Sequence, residues 1–160
     1  MQIHKIPYLS LIATAILLCA GFGYQRPVSA SGRGVSAEID RHITVLKKGT
    51  PVERAAAAYW LGQKHSAAAT AVDSLTELLG DATEVDASSY RHNSQGLKMK
   101  LGEEAAAALV QIGHASIEPL IHVLKTSPEP EARKNAAWAL GILHEQGASN
   151  GVVSASVLGA

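Results

Sequence analysis

The 160-residue chain holds a single cysteine, Cys19, and it lies near the start in an apolar run. The rest of the sequence has no disulfide framework, no thiol nucleophile and no thiolate metal site, and cysteine pairing cannot report on its compartment. An excess of charge of one sign is also lacking, since 14 Lys and Arg balance 14 Asp and Glu. Without concentrated cations to displace counterions, nothing steers the chain to nucleic acid. Long apolar runs are scarce: the one at 8–20 is shorter than the roughly 20 residues a bilayer span needs.

That run nevertheless has the flanks of an export signal. Lys5 supplies the positive start and Val28-Ser29-Ala30 a small-x-small cleavage site, so residues 1–30 are expected to be a signal peptide and the mature chain to begin near Ser31. Extending the run through Phe22 and Tyr24 gives the alternative, an uncleaved membrane anchor. Leu18 argues against lipid attachment at Cys19, which calls for Gly, Ala or Ser just before the cysteine. The leader carries Lys5 and Arg26 and no acid, which leaves 12 basic against 14 acidic residues and a formal charge of −2.

What the sequence does contain is a repeat. Val45-Leu46-Lys47, then Pro51, Glu53 and Arg54, then Ala57-Ala58-Tyr59-Trp60-Leu61-Gly62 return as Val123-Leu124-Lys125, Pro130-Glu131-Ala132-Arg133 and Ala136-Ala137-Trp138-Ala139-Leu140-Gly141. Aligning Leu61, Leu109 and Leu140 gives spacings of 48 and 31 residues, so a unit of about 31 recurs with one copy lengthened by about 17. Units of this length are stacked helix pairs that bury their core between neighbours and present an extended surface, which makes binding the expected function.

Local signals place the elements. After a flexible lead-in at 31–36, Ile39, Ile43 and Leu46 form an amphipathic stripe that predicts a helix over 37–48. Gly49 then ends a helix and Thr50-Pro51 starts the next, with Glu53 completing a capping box. The helix over 51–64 is lined by alanines that let a neighbour approach, and the return of Gly62 at Gly141 predicts a tight helix crossing at both. A second helix is expected over 69–79, carrying Val72, Leu75 and Leu79 on one face. Periodicity is lost over 81–98, read as an inserted, solvated loop. Helical pattern resumes near Leu97 or Leu101 and ends at Gly113. Ile117, Leu120, Ile121 and Leu124 mark the next helix, another runs from about 128–130 to His144, and a last begins over 152–158. The apolar end, Leu158-Gly159-Ala160, reads as a dimer contact, a frayed edge or a truncation of a longer array.

Pro-x-Glu-x-Arg, two further residues and an Ala-Ala-Trp-x-Leu-Gly run, as residues 128–141 show, resembles the short HEAT-like repeats named after phycobilisome lyases. Residues 51–62 and 105–113 carry the same pattern less completely, and Gly102 stands where the other copies have Arg54 and Arg133. The resemblance implies that the proline opens the first helix of each pair, that the arginine is structural, and that second helices line the concave face. It implies binding before chemistry, with bilin lyases and chaperones as the enzymatic relatives.

Candidate chemistry is thin. His65 and His144 occupy equivalent positions about two repeats apart, too far for shared metal coordination near 2.1 Å, and read as helix C-terminal histidines. The single pair His144-Glu145 is similar to the iron-holding pairs of HEAT-like deoxyhypusine hydroxylases, which use several. Arg54 and Arg133 are expected to make inter-repeat bonds to backbone or carboxylate. Ser88, Ser89, Tyr90, Arg91 and His92 lie on the insertion without a nucleophile elbow. With Ile39, Ile43 and Leu46 inward, Arg41, Thr44 and Lys48 face out, and Thr76, Glu77, His122 and Lys125 hold the matching places later.

The reading is an all-α protein, an α-solenoid of stacked HEAT-like helix pairs over 37–160. Its expected function is that of an exported, non-enzymatic interaction or scaffold module without cofactor, metal or catalytic residue. Its partner is a protein, bound through those seven residues. Nucleic acid is not expected, the membrane enters only through an uncleaved N-terminal segment, and the apolar C-terminal end offers self-association. The alternatives are an enzyme accessory of the bilin lyase or chaperone type, and the front fragment of a longer repeat protein whose activity lies elsewhere.

Overall fold

The computed structural model describes residues 30–150. The expected signal peptide, apart from Ala30, and the helix expected over 152–158 lie outside the described residues. Among those described are six α-helices: α1 Ala30–Lys48, α2 Pro51–Gly62, α3 Val72–Thr76, α4 Leu101–Ile112, α5 Ile117–Thr126 and α6 Pro130–Asn150. None of them is long and apolar enough to cross a membrane.

The helices pack as the repeat requires. α2, α4 and α6 lie side by side, α3 packs on α4 and α5 on α6, and α3 also meets α5. Leu46, Leu61, Leu75, Leu79, Leu101, Leu109 and Leu120 are almost wholly excluded from solvent, among buried alanines that include Ala55, Ala58, Ala105, Ala108, Ala136 and Ala139. Small side chains at the crossings bring the helix axes close, and the leucines fill what is left.

The boundary at Thr50 forms as its chemistry dictates. Thr50 Oγ1 accepts the Glu53 N–H while the Glu53 carboxylate accepts the Thr50 N–H at 2.8 Å, closing a capping box behind Pro51. Arg54 Nε donates to the Leu46 carbonyl at 3.0 Å, and Nη1 meets Asp81 at 3.2 Å. Arg133 repeats the first bond, donating to the Ser127 and Pro128 carbonyls at 2.8 and 2.9 Å. Both arginines thus tie their helix to the end of the preceding one, as expected of a structural residue.

Four expectations need correction. The lead-in at 31–36 is helical, because Val35 packs against the core and carries the stripe of Ile39 and Leu46 one turn towards the N-terminus. The helix expected over 69–79 is broken into a 3-10 segment, His65–Ala71, and the short α3, ending in a turn at 77–80. The fold is not purely helical: β1 Glu84–Asp86 and β2 Lys98–Lys100 pair antiparallel, with Val85 opposite Met99. The insertion between them is thereby ordered, with Val85 and Ala87 in the core. Finally, α6 does not end at His144 but continues to Asn150.

The last difference has a backbone cause. At the equivalent position in the two earlier units the chain turns sharply, with φ +51° at His65 and +87° at Gly113, whereas His144 stays helical and α6 runs on. The two repeat glycines also diverge. A Cβ on Gly62 would sit 3.0 Å from the Cα of Ala108, the tight crossing expected, while one on Gly141 would meet nothing within 4 Å. Gly62→Ala is therefore expected to lower stability by about 1 kcal/mol, overpacking against backbone outweighing the better helix propensity. Gly141→Ala is expected to raise it by about 0.5–1 kcal/mol, propensity acting alone. Urea titrations of the two variants check this, and shifts of the same sign would show that the glycines do not differ in packing.

Candidate partner-binding faces

The seven residues expected to face a partner fall into two groups. Arg41, Thr44 and Lys48 are exposed along α1, and Thr44 Oγ1 donates back to the Asp40 carbonyl at 3.0 Å, so its hydroxyl serves its own helix. Thr76, half-buried, donates to the Asp73 carbonyl at 2.7 Å, with exposed Glu77 beside it at the end of α3. His122 and Lys125 are exposed on α5, which packs against α3. Among the described residues no hydrogen bond or ion pair joins the α1 group to the α3 and α5 group.

One concavity flanks the α1 face, and a second lies between α4 and α6. The first, of about 370 Å³, lies between α1 and α2 and is lined by Arg41, His42, Val45, Glu53, Ala56 and Ala57. Beside it the His42 ring stacks on Trp60, centroids 4.0 Å apart and planes at 22°, and the Lys64 ammonium lies 4.3 Å from the Trp60 ring. His42 Nδ1 is buried without a hydrogen-bond partner. Burial, reinforced by Arg41 and Lys64 and opposed by Glu38, holds the imidazole pKa below its ordinary value of 6.5.

The sign of the consequence follows from linkage. As pH falls through 6.5 the unfolded chain takes up a proton that the folded His42 refuses, so stability present above that pH is lost below it. Denaturation midpoints between pH 7.5 and 5.5 should therefore fall less in His42→Phe, which keeps a ring against Trp60, than in the parent. Equal slopes would remove His42 from the account.

The second concavity, about 360 Å³, is lined by Met99, Glu103, Ala107, Lys134, Asn135 and Trp138. Trp138, on α6, is 50% exposed. Sequence reasoning assigned it no surface role. The available signal was its repeat position, where α2 has Tyr59 and α4 has Ala107, with the exposed Lys134 one turn earlier.

Two polar residues of the insertion, Tyr90 and Arg91, turn inward, while Ser88, Ser89 and His92 stay exposed. Tyr90 Oη donates to Glu104 at 2.9 Å and Arg91 Nη2 at 2.6 Å, although Glu104 on α4 is only 1% exposed. Arg91 also lies over the Tyr59 ring at 4.8 Å. Burial, then the Glu104 carboxylate, pushes the Tyr90 hydroxyl pKa well up, so it stays protonated and donates. The reading of 81–98 as a solvated loop holds for most of its side chains, which are exposed, but Tyr90 and Arg91 anchor it to α4. Asp81, at its start, is ionised more readily than usual. Burial works against this, but hydrogen bonds from Thr83 and the charge of Arg54 outweigh it.

Among the described residues no group of three or more His, Cys, Asp or Glu is placed to hold a metal ion. His65 Nδ1 lies 3.2 Å from the Gln111 carbonyl, and His144 lies within α6 rather than at a helix end. The model of the Armadillo/beta-catenin-like repeat family matches residues 110–143, from the end of α4 through α5 into α6. This stretch is similar to an armadillo-like repeat, of the armadillo/HEAT α-repeat superfamily, a kind of helical repeat module that generally points to protein binding. The curated proteins and the solved structures compared with the chain give no match.

Proposed function

We propose that this protein is an exported, non-enzymatic scaffold that binds a protein through the outer faces of α1, α3 and α5. The observation that carries the reading is the armadillo-like repeat at 110–143, whose second helix, α5, keeps His122 and Lys125 exposed. Rigid helix stacks recognise partners through a few polar anchors on such a surface. The finer assignment, to short repeats of the phycobilisome lyase type, rests on the motif resemblance at 51–62 and 128–141. Export rests on the flanks of residues 1–30, with retention as an anchor if they are not removed.

The test is affinity capture with the full chain from its own extracytoplasmic extract, read by mass spectrometry, beside a variant carrying Arg41→Glu, Lys48→Glu and Lys125→Glu. A protein retained by the parent and lost from the variant supports the assignment. Partners retained equally by both, a co-purifying coloured tetrapyrrole, or turnover of a small molecule would replace it.

A further inference from the structure

The concavity of about 360 Å³ between α4 and α6 has the size of a small-ligand pocket. Met99, Ala107 and the half-exposed Trp138 make most of its lining apolar. Three polar side chains interrupt it, and they differ in what they already hold. The Lys134 ammonium is bound by Glu131 within α6 and feels Glu103 only at longer range, so the cation on the lining is answered there. Glu103 is not. Its carboxylate accepts the Lys100 N–H at 3.2 Å through Oε2 and makes no ion pair among the described residues. Asn135 is only 5% exposed, and its Nδ2 donates to the Leu79 carbonyl at 2.8 Å, which fixes the amide. Its Oδ1 has no hydrogen bond among the described residues, yet it is not sealed from solvent. The opening it has is the pocket that Asn135 lines.

We propose that this pocket is a binding site for a small, planar organic cation carrying N–H donors. The groups left without partners there are a carboxylate and an amide oxygen, so an occupant must bring positive charge and hydrogen rather than acceptors. An amidinium does both. Its parallel N–H groups match a carboxylate in the manner of a guanidinium, and a further N–H is free for Asn135 Oδ1. An attached aromatic ring finds the Trp138 indole to stack on and the Met99 thioether as a second soft wall. Positive charge over the indole adds to the attraction. An anion would meet Glu103 unfavourably, and a wholly apolar ligand would strip water from Glu103 and Asn135 without replacing it. The site is separate from the outer faces of α1, α3 and α5, so a protein bound there leaves it open.

An NMR titration of the ¹⁵N-labelled full chain with benzamidinium tests it. The chain has two tryptophans, and the Trp138 indole N–H signal should move to saturation while that of Trp60, beside the other concavity, stays in place. A Kd of about 0.1–5 mM is expected for a ligand of so few atoms. Benzoate, alike in shape but opposite in charge, and trimethylphenylammonium, a cation without N–H donors, should each bind at least about tenfold more weakly. Glu103→Gln keeps an acceptor for the Lys100 N–H and removes the charge, so it should raise the benzamidinium Kd about tenfold while the fold is kept. A Trp138 signal that does not move, a response matched by benzoate or by the quaternary cation, or an affinity unchanged in Glu103→Gln would each overturn the proposal.

Discussion

Replacing Glu104 with alanine should lower the stability of the fold by about 3 kcal/mol, the low end for breaking a buried ion pair. The low end applies because Arg91 keeps 22% of its side-chain exposure while Glu104 keeps 1%. The substitution removes the acceptor of two hydrogen bonds, from Tyr90 and Arg91, and leaves a guanidinium and a phenol against a cavity. It should also release the insertion, since β1 and β2 are each three residues long and a two-stranded ribbon of that size does not persist alone. Denaturant titration measures the first effect, and trypsin cleavage after Arg91 or Lys98 under native conditions the second. Glu104→Gln, which keeps an acceptor for Tyr90, should lose less. A Glu104→Ala protein within about 0.5 kcal/mol of the parent, the range of an ordinary surface change, and equally resistant in the insertion would show that this contact does not hold the segment.

Gly102→Ala should cost about 3 kcal/mol, far more than an alanine for a helical glycine ordinarily does. A Cβ there would lie 2.4 Å from the Leu79 carbonyl oxygen and 2.9 Å from Asn135 Nδ2. The oxygen is backbone and cannot swing aside, and it accepts the Asn135 amide at 2.8 Å from across the stack. Relief of the overlap therefore breaks that buried bond or moves α4 away from α3. The position explains the departure from the repeat pattern. In the first and third units an arginine bonds the carbonyls ending the previous helix; in the second the carbonyl is capped by Asn135 of α6, and the space an arginine would occupy is closed. Thermal denaturation of Gly102→Ala beside Gly102→Ser checks this, and a loss under about 1 kcal/mol, the penalty of a mild overlap, would mean the crossing is looser than its distances.

Much of the fold was legible because it rests on short-range chemistry. Thr50, Pro51 and Glu53 mark a helix start within four residues, and the stripes of Ile39 with Leu46 and of Leu120 with Ile117 need only helical periodicity. The arginine ties at Arg54 and Arg133 were legible from recurrence, since two copies of one residue at one place in a unit make one kind of bond. How the insertion is anchored was not legible. Its turn-rich polarity is that of a surface loop, and the residue that buries Tyr90 and Arg91 is Glu104, 14 and 13 positions along, on another element. The exposed side of α6 was hidden for a related reason: its motif is the one that elsewhere forms a buried crossing.

The sequence alone determined the helices, their order and the unit that recurs, because backbone caps and apolar periods act over a few residues and are the same wherever the unit stands. Only the tertiary structure decided which copies of a motif are covered. Gly62 is closed by Ala108 and Gly141 stands open, and Glu104 receives an arginine where Asn135, its repeat counterpart, reaches a carbonyl. Burial belongs to the neighbour rather than to the residue, and neighbours are assigned when the chain packs.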